Sequence, residues 1–329
     1  MIIRVMEPVF LASGVDPPTA LLNILIVNIC NLNQFVMKVL QFTPPVPKED
    51  AVVVEEDLLP HFYNFLHRHK ELQVTLIIKG EGTLIAGNYS QAFKSGEVYV
   101  IGANQPHIFK SDPAYFDNLD KYNAHAIHIF FDLERIPEAF FHLPELNAIK
   151  KFIDSCTTGL QLPIQHSAHI GDAIRKIVGK PNLERLLSIL EIFQYFAKEV
   201  TGWKSLSTGF SSYPFSDTEG NRMNDIFQYT LENYAENITL NKIASIAHIT
   251  PHAFCKYFKQ HTRKTYNNFL NEVRINEACK KILSGDYDGI STIAYKTGFN
   301  SAINFNRVFK KTTGMSPSDY KKEFRHKTA

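Results

Sequence analysis

Two segments of the C-terminal third repeat one another about fifty residues apart, and this repeat narrows the fold more than any other feature. The first runs from Leu240 to Lys259 and the second from Ile290 to Lys310. Each begins with a short apolar stripe at helical spacing, Leu240, Ile243, Ala244 and Ala247 in the first and Ile290, Ile293 and Ala294 in the second. A tight turn follows, His248-Ile249 or Gly298-Phe299. A second helix then places aromatics four residues apart, Phe254 and Phe258, then Phe305 and Phe309. Thr250-Pro251 reads as an N-cap followed by proline at the first helical position. Gly298 supplies the positive φ that such a turn needs. The four phenylalanines are expected in the core. A helix, a short turn and a second helix with an apolar inner side is the layout in which the second helix enters the major groove of DNA.

The charge of the whole chain, +2 over 329 residues, conceals where charge lies. Residues 1–221 hold 18 Lys and Arg against 24 Asp and Glu, a net of −6. Residues 222–329 hold 17 against 9, a net of +8. A polyanion partner is therefore expected for the second part and not for the first. On the first of the paired helices the outward positions are His252, Ala253, Cys255, Lys256 and Lys259. On the second they are Ser301, Ala302, Ile303, Asn304, Arg307 and Lys310. Arginine pairs with guanine, asparagine with adenine, and small apolar groups meet the thymine methyl. Lys259, Lys310, Lys311, Lys321, Lys322 and Arg325 read as phosphate contacts, which set affinity and salt dependence.

The two units are joined by an amphipathic helix expected over Tyr266–Leu283 and closed by Gly314-Met-Ser-Pro-Ser-Asp-Tyr320. With Ile293-Ala294…Gly298-Phe299 and Phe305-x-Arg307-x-Phe309-Lys310-Lys311, the last hundred or so residues resemble the DNA-binding domain of AraC/XylS-type transcriptional regulators. The resemblance covers about a third of the chain. It implies that both units insert into successive major-groove segments on one face of double-stranded DNA. Two positions depart from the family pattern: His248 in the first turn and Arg263 after the first unit's second helix stand where the family often has glycine.

From Ala51 to Asp132 the pattern is strand-like. Runs at Val52–Val54, Val74–Ile78, Thr83–Ala86, Glu97–Ile101 and Ala124–Phe131 are punctuated by glycine, asparagine and proline. Many short strands at close spacing suggest a small barrel or jelly roll. His67-x-His69, Gln73, Gly80-Glu-Gly82 and Gly96…Pro106-His107 resemble the two cupin motifs, and such a barrel serves many AraC-type regulators as a sensor. In metal-binding cupins the matching positions are three histidines and a carboxylate. Here Gln73 replaces the carboxylate, and a neutral amide is a poor ligand. His67, His69, Gln73 and His107 are accordingly expected to line a small-molecule pocket or satisfy local polar contacts, with no metal, cofactor or catalytic residue, although nearby Glu71 keeps a metal alternative open. His125 and His128, three apart on a strand, are expected on opposite faces with no shared site.

The expected fold class is α+β, an N-terminal cupin-like β-barrel followed by an all-α double helix-turn-helix. The expected divisions are 1–36, a non-native or peripheral extension before Met37; 37–142, the sensor barrel; 143–206, a helical connector; 207–221, a linker; and 222–329, the DNA-binding domain. The helix Leu183–Glu199, with apolar residues at 183, 186, 187, 190, 193 and 196–197, is the candidate dimerisation element. Four scattered cysteines without a C-x-x-C pair, and no apolar run long enough to span a bilayer, fit a reducing cytoplasm. The expected function is an effector-controlled transcriptional regulator, an activator, working as a homodimer with RNA polymerase as a candidate partner. Two rivals remain at this stage: a metal-dependent cupin enzyme with a helical appendage, and a constitutive DNA-binding protein whose barrel only oligomerises.

Overall fold

The computed structural model describes residues 50–116, 124–207, 217–285 and 289–325. The expectations for residues 1–36, the Met37 start and most of the linker lie outside them. Six strands form one sheet in the order β1 (Val52–Leu59), β7 (Ala124–Phe131), β2 (Leu72–Lys79), β5 (Val98–Ile101), β8 (Leu160–Gln161) and β9 (Lys204–Ser205). A second sheet has β3 (Gly82–Ala86) between β4 (Tyr89–Phe93) and β6 (His107–Ser111). The period-2 alternation of strand side chains builds the layers. Leu72, Val74 and Leu76 of β2, with Val98 and Val100 of β5 and Ile127 and Ile129 of β7, face a helical layer. Ile77, Tyr99, Ile101 and Ala126 face the opposite way and meet Leu84, Phe93 and Phe109 of the smaller sheet.

The helical layer consists of α1 (Asn147–Ser155), α2 (Ser167–Ile177) and α3 (Asn182–Lys198). The expected single apolar face of α3 is divided. Phe193 and Phe196 are buried with Ile189 and Ile192, whereas Leu183 and Leu187 are 67% and 51% exposed. The reason is geometric: at 100° per residue, 183 and 187 lie well round the helix from 189, 192, 193 and 196.

The C-terminal domain begins earlier than the expected linker allows. Helix α4 (Asp217–Asn233) already includes residues 217–221. Its stripe of Met223, Ile226, Phe227 and Thr230 is buried. Then come α5 (Leu240–Ile246), α6 (Pro251–Thr262), α7 (Tyr266–Ser284), α8 (Ile290–Lys296), α9 (Ala302–Thr313) and α10 (Pro317–Arg325). Helix α7 is shared between two cores. Tyr266, Phe269, Leu270 and Val273 pack with Phe254 and Phe258. Ile275, Ala278 and Ile282 pack with Phe299, Phe305 and Phe309.

The outer face of the small sheet is the floor on which this domain rests. Leu66, Ile85 and Ile108 join the core of the first helical unit. Polar contacts frame that joint: Leu66 N donates to Asn224 Oδ1 at 3.0 Å, and Asn276 Nδ2 donates to Ser90 O at 2.7 Å. Two ion pairs cross in opposite senses, Lys110–Glu232 at 3.0 Å and Lys280–Asp112 at 2.6 Å.

Candidate DNA-binding faces and the histidine site of the sheet domain

The two repeated units share their turn hydrogen bonds. His248 N and Ile249 N donate to Ser245 O and Ala244 O at 3.0 and 3.1 Å, and Gly298 N and Phe299 N donate to Tyr295 O and Ala294 O at 3.0 Å each. His248 and Gly298 both have positive φ, 53° and 86°. The same holds at the end of the second helices, with Arg263 at 57° and Gly314 at 83°. The two departures from the family pattern thus keep the glycine conformation with side chains that disfavour it. One residue more separates turn from helix in the second unit, so Thr250 corresponds to Ser301. Each caps its helix: Thr250 Oγ1 accepts from Ala253 N at 3.3 Å and Ser301 Oγ from Asn304 N at 3.4 Å.

Phe254, Phe258, Phe305 and Phe309 are fully buried, which turns the other side of each helix outward. His252, Ala253, Cys255, Lys256 and Lys259 on α6 are exposed. On α9, Ile303, Asn304, Arg307, Lys310 and Lys311 are exposed, whereas Ser301 and Ala302 are half-buried. Ile303 stands 83% exposed, without packing to account for an apolar side chain there. Lys322 is exposed and Lys321 half-buried; the side chain of Arg325 lies outside the described residues.

In the N-terminal sheet domain, the isolated bridge between His67 and His107 brings the two histidine-bearing segments together, with His67 N donating to His107 O at 3.1 Å and His107 N to His67 O at 2.9 Å. Each histidine holds a backbone carbonyl through Nδ1: His67 to Phe65 O at 2.9 Å, His69 to Glu71 O at 3.0 Å and His107 to Gln105 O at 2.8 Å. A carbonyl only accepts, so these nitrogens carry the protons. In the neutral rings Nε2 is then a lone-pair acceptor. Burial pushes His67 down to about 3, and His69 and His107 below their ordinary value, so neutral rings prevail near pH 7.

Gln73 Oε1 stands 2.7 Å from His69 Nε2 and 3.1 Å from His107 Nε2. Its amide nitrogen lies 2.7 Å from Thr75 Oγ1 and 3.0 Å from His128 Nδ1. His128 Nε2 in turn lies 3.5 Å from Asp57 Oδ2. The Asp57 carboxylate favours a proton on His128 Nε2, which leaves Nδ1 to accept from Gln73 and turns the Gln73 carbonyl toward the histidines. Acceptors therefore converge, and the ligating atoms of His67, His69 and His107 all lie within 4.8 Å of one another. That set fits a divalent cation of the zinc, iron or nickel kind, with Gln73 Oε1 as a fourth, weaker donor. Glu71 does not join it. Its Oε2 lies 3.6 Å from His69 Nδ1, on the far side of the ring, and burial raises its pKa.

A cavity of about 40 Å³ opens beside this group, lined also by Asp57, Tyr63, His128 and Phe130. The sequence pattern did not single out Asp57, Tyr63 or Phe130, and it weighed His128 only as a partner for His125. Alternation along β1 and β7 was the available signal, but nothing in it tells which strand faces lie opposite the His67 segment. His125 turns away and meets Glu56 at 2.8 Å, so the two β7 histidines do lie apart.

Paired helix-turn-helix units with exposed, basic second helices define a DNA-binding protein. Residues 243–323 match the family model of a helix-turn-helix domain. A transcriptional regulator of Bacillus subtilis, YdeC, is 23% identical over 267 residues, 78% of this chain and 86% of its own. The transcriptional activator RhaS of Enterobacter is 22% identical over 295 residues, 86% of this chain and 96% of its own. A regulator of Pseudoalteromonas carrageenovora reaches 35% identity over 96 residues, and there this chain spans 56% of the relative's length. Among solved structures, ToxT of Vibrio cholerae is similar at 16% identity, covering 83% of this chain and 98% of that one, with a TM-score of 0.32. The matched domain is of the AraC/XylS type, and the relatives similar over most of this chain are transcriptional regulators.

Proposed function

We propose that this regulator binds double-stranded DNA through His252, Ala253, Cys255, Lys256 and Lys259 of the first unit and Ser301 to Asn304, Arg307, Lys310 and Lys311 of the second. An unidentified small-molecule effector in the barrel controls it. The observation that carries the effector reading is the segment 60–67. Tyr63 and His67 line the cavity, while the neighbouring backbone is held by the DNA-binding domain, Leu66 by Asn224 and Asn64 by Gln228. A ligand that moves Tyr63 or His67 acts directly on this joint. It shifts the DNA-bound population only through different affinity for the two arrangements.

The protein acts in the cytoplasm as a homodimer joined through Leu183 and Leu187 of α3, without enzymatic activity, and activates transcription in contact with RNA polymerase. No helix among the described residues is long and apolar enough to cross a membrane. The test is selection of bound sites from random duplex DNA by the full chain, followed by gel shifts in the presence of candidate effectors. Absence of any enriched site refutes the DNA reading. A ligand that raises thermal stability without altering DNA affinity is excluded as the effector, and no stabilising ligand at all favours the constitutive rival.

The converging acceptors favour a second reading of the same cavity, in which His67, His69, His107 and Gln73 hold a divalent ion. Such an ion would supply a positive centre for an oxygen-bearing effector. Stoichiometric metal in the purified protein, lost in the His67→Ala/His107→Ala variant, supports it; a metal-free protein that still binds effector refutes it.

A further inference from the structure

Resting on the DNA-binding reading, we propose that the two units divide their labour: α9 chooses the sequence, and α6 serves mainly as an electrostatic anchor. The repeat allows position-by-position comparison, because Thr250 and Ser301 are corresponding caps. His252 then matches Ile303, Ala253 matches Asn304, Lys256 matches Arg307 and Lys259 matches Lys310.

On α9, Arg307 Nη2 donates to Asn304 Oδ1 at 2.9 Å across one helical turn. That bond holds the guanidinium before DNA arrives. A planar fork fixed in advance loses less side-chain freedom when it pairs with the O6 and N7 atoms of guanine. Asn304 is thereby a positioning residue for Arg307, and one lone pair of its carbonyl is already engaged where the residue type alone suggested a reader of adenine. Ile303 is on the same face, four residues before Arg307, and is 83% exposed. An apolar side chain so placed matches the thymine methyl. Four residues advance about 6 Å along a helix, so the thymine lies within about two base pairs of the guanine.

On α6 none of these devices is present. Ala253 has no side-chain acceptor to offer Lys256, Lys256 is a flexible point charge rather than a fork, and His252 replaces the isoleucine. Lys256 and Lys259 are exposed and suited to phosphate.

The experiment is site selection and titration with the full chain, using wild type, Arg307→Lys, Asn304→Ala, Asn304→Asp, Ile303→Ser and Lys256→Ala. Wild type should select one sharply defined segment holding guanine and a nearby thymine, with a loosely defined segment about one helical turn away. Arg307→Lys should lower the preference for that guanine roughly 5- to 150-fold while leaving non-specific affinity unchanged. Asn304→Ala should lower guanine preference without changing the salt dependence. Asn304→Asp, which keeps an acceptor for Arg307, should restore the preference at reduced overall affinity. Replacing the thymine by uracil should weaken wild type and not Ile303→Ser. Lys256→Ala should weaken all sequences alike and reduce the salt slope by about 1.

The proposal is overturned if Lys256→Ala alters base preference as strongly as Arg307→Lys, if Asn304→Ala loses an adenine rather than a guanine, or if uracil has no effect. Failure of wild type to bind any DNA refutes the DNA reading itself, a separate result.

Discussion

Corresponding turns of the two units should respond oppositely to exchange of glycine and a larger residue. At Gly298 the φ of 86° costs an L-residue roughly 1–2 kcal/mol. A Cβ there would also stand 2.7 Å from Tyr234 O, 2.8 Å from Arg274 Nε and 2.9 Å from Ala235 O. Arg274 cannot yield freely, because its Nε donates to Tyr234 O and its Nη2 to Glu236 O, each at 2.7 Å. Loosening one charged hydrogen bond adds roughly 1.5–3 kcal/mol. Gly298→Ala should therefore destabilise the DNA-binding domain by about 2.5–5 kcal/mol. At His248 the same conformational cost is already present, with φ 53° and an exposed side chain. His248→Gly recovers about 1–2 kcal/mol and gives back about 0.4–1 through the freer unfolded chain, a net gain of about 0–1.6 kcal/mol. Urea unfolding of the full chain reads both, with far-UV circular dichroism following the helices. Trp203, the single tryptophan, packs on Phe152 and Phe196 in the other half and reports that half separately. A Gly298→Ala variant within 1 kcal/mol of the parent by dichroism, or a His248→Gly variant less stable than it, refutes the reasoning.

In chelator-containing buffer, stability should fall as pH drops from about 6.5 toward 3, because His67 and His107 are held below the pKa they have when unfolded. The unfolded chain binds more protons in that window, so each of the two costs up to about 1.4 kcal/mol per pH unit, and His67→Gln/His107→Gln should flatten the profile. Lys280→Ala leaves Asp112 without the ammonium 2.6 Å away across the domain joint; calorimetry should show a loss of about 1–3 kcal/mol and a splitting of one transition into two, and an unchanged single transition counts against the joint. Leu183→Glu/Leu187→Glu should convert the proposed homodimer to monomer in sedimentation at unchanged secondary structure; an unaltered mass removes α3 as the interface.

What the sequence revealed and what it hid divide along the range of the interactions. The helix-turn-helix units were legible because each is a local device: aromatics four apart, a cap, a positive-φ turn. Their burial pattern follows from a single helical period. The strands of the large sheet were legible where β-branched runs are long, whereas β4 and β6 escaped notice because Tyr-Ser-Gln-Ala-Phe and His-Ile-Phe-Lys-Ser carry weaker signatures. Facing across sheets is a long-range property, so Asp57 and His128 could not be joined to His67 from alternation alone. The same limit applied to charge. The −6 and +8 halves predicted different partners, but not that the halves would exchange ions. Lys110 of the negative half meets Glu232 of the positive one, and Lys280 of the positive half meets Asp112 of the negative one. Each pair sits where the small sheet meets α4 or α7, so some of the charge counted toward DNA is spent holding the domains together. Cations remain exposed on α6 and α9, on the side of each helix opposite its buried phenylalanines, and on α10 at Lys322. Lys256 and Arg307 stand on the two faces opposite those phenylalanines, so single substitutions there can separate affinity from sequence choice.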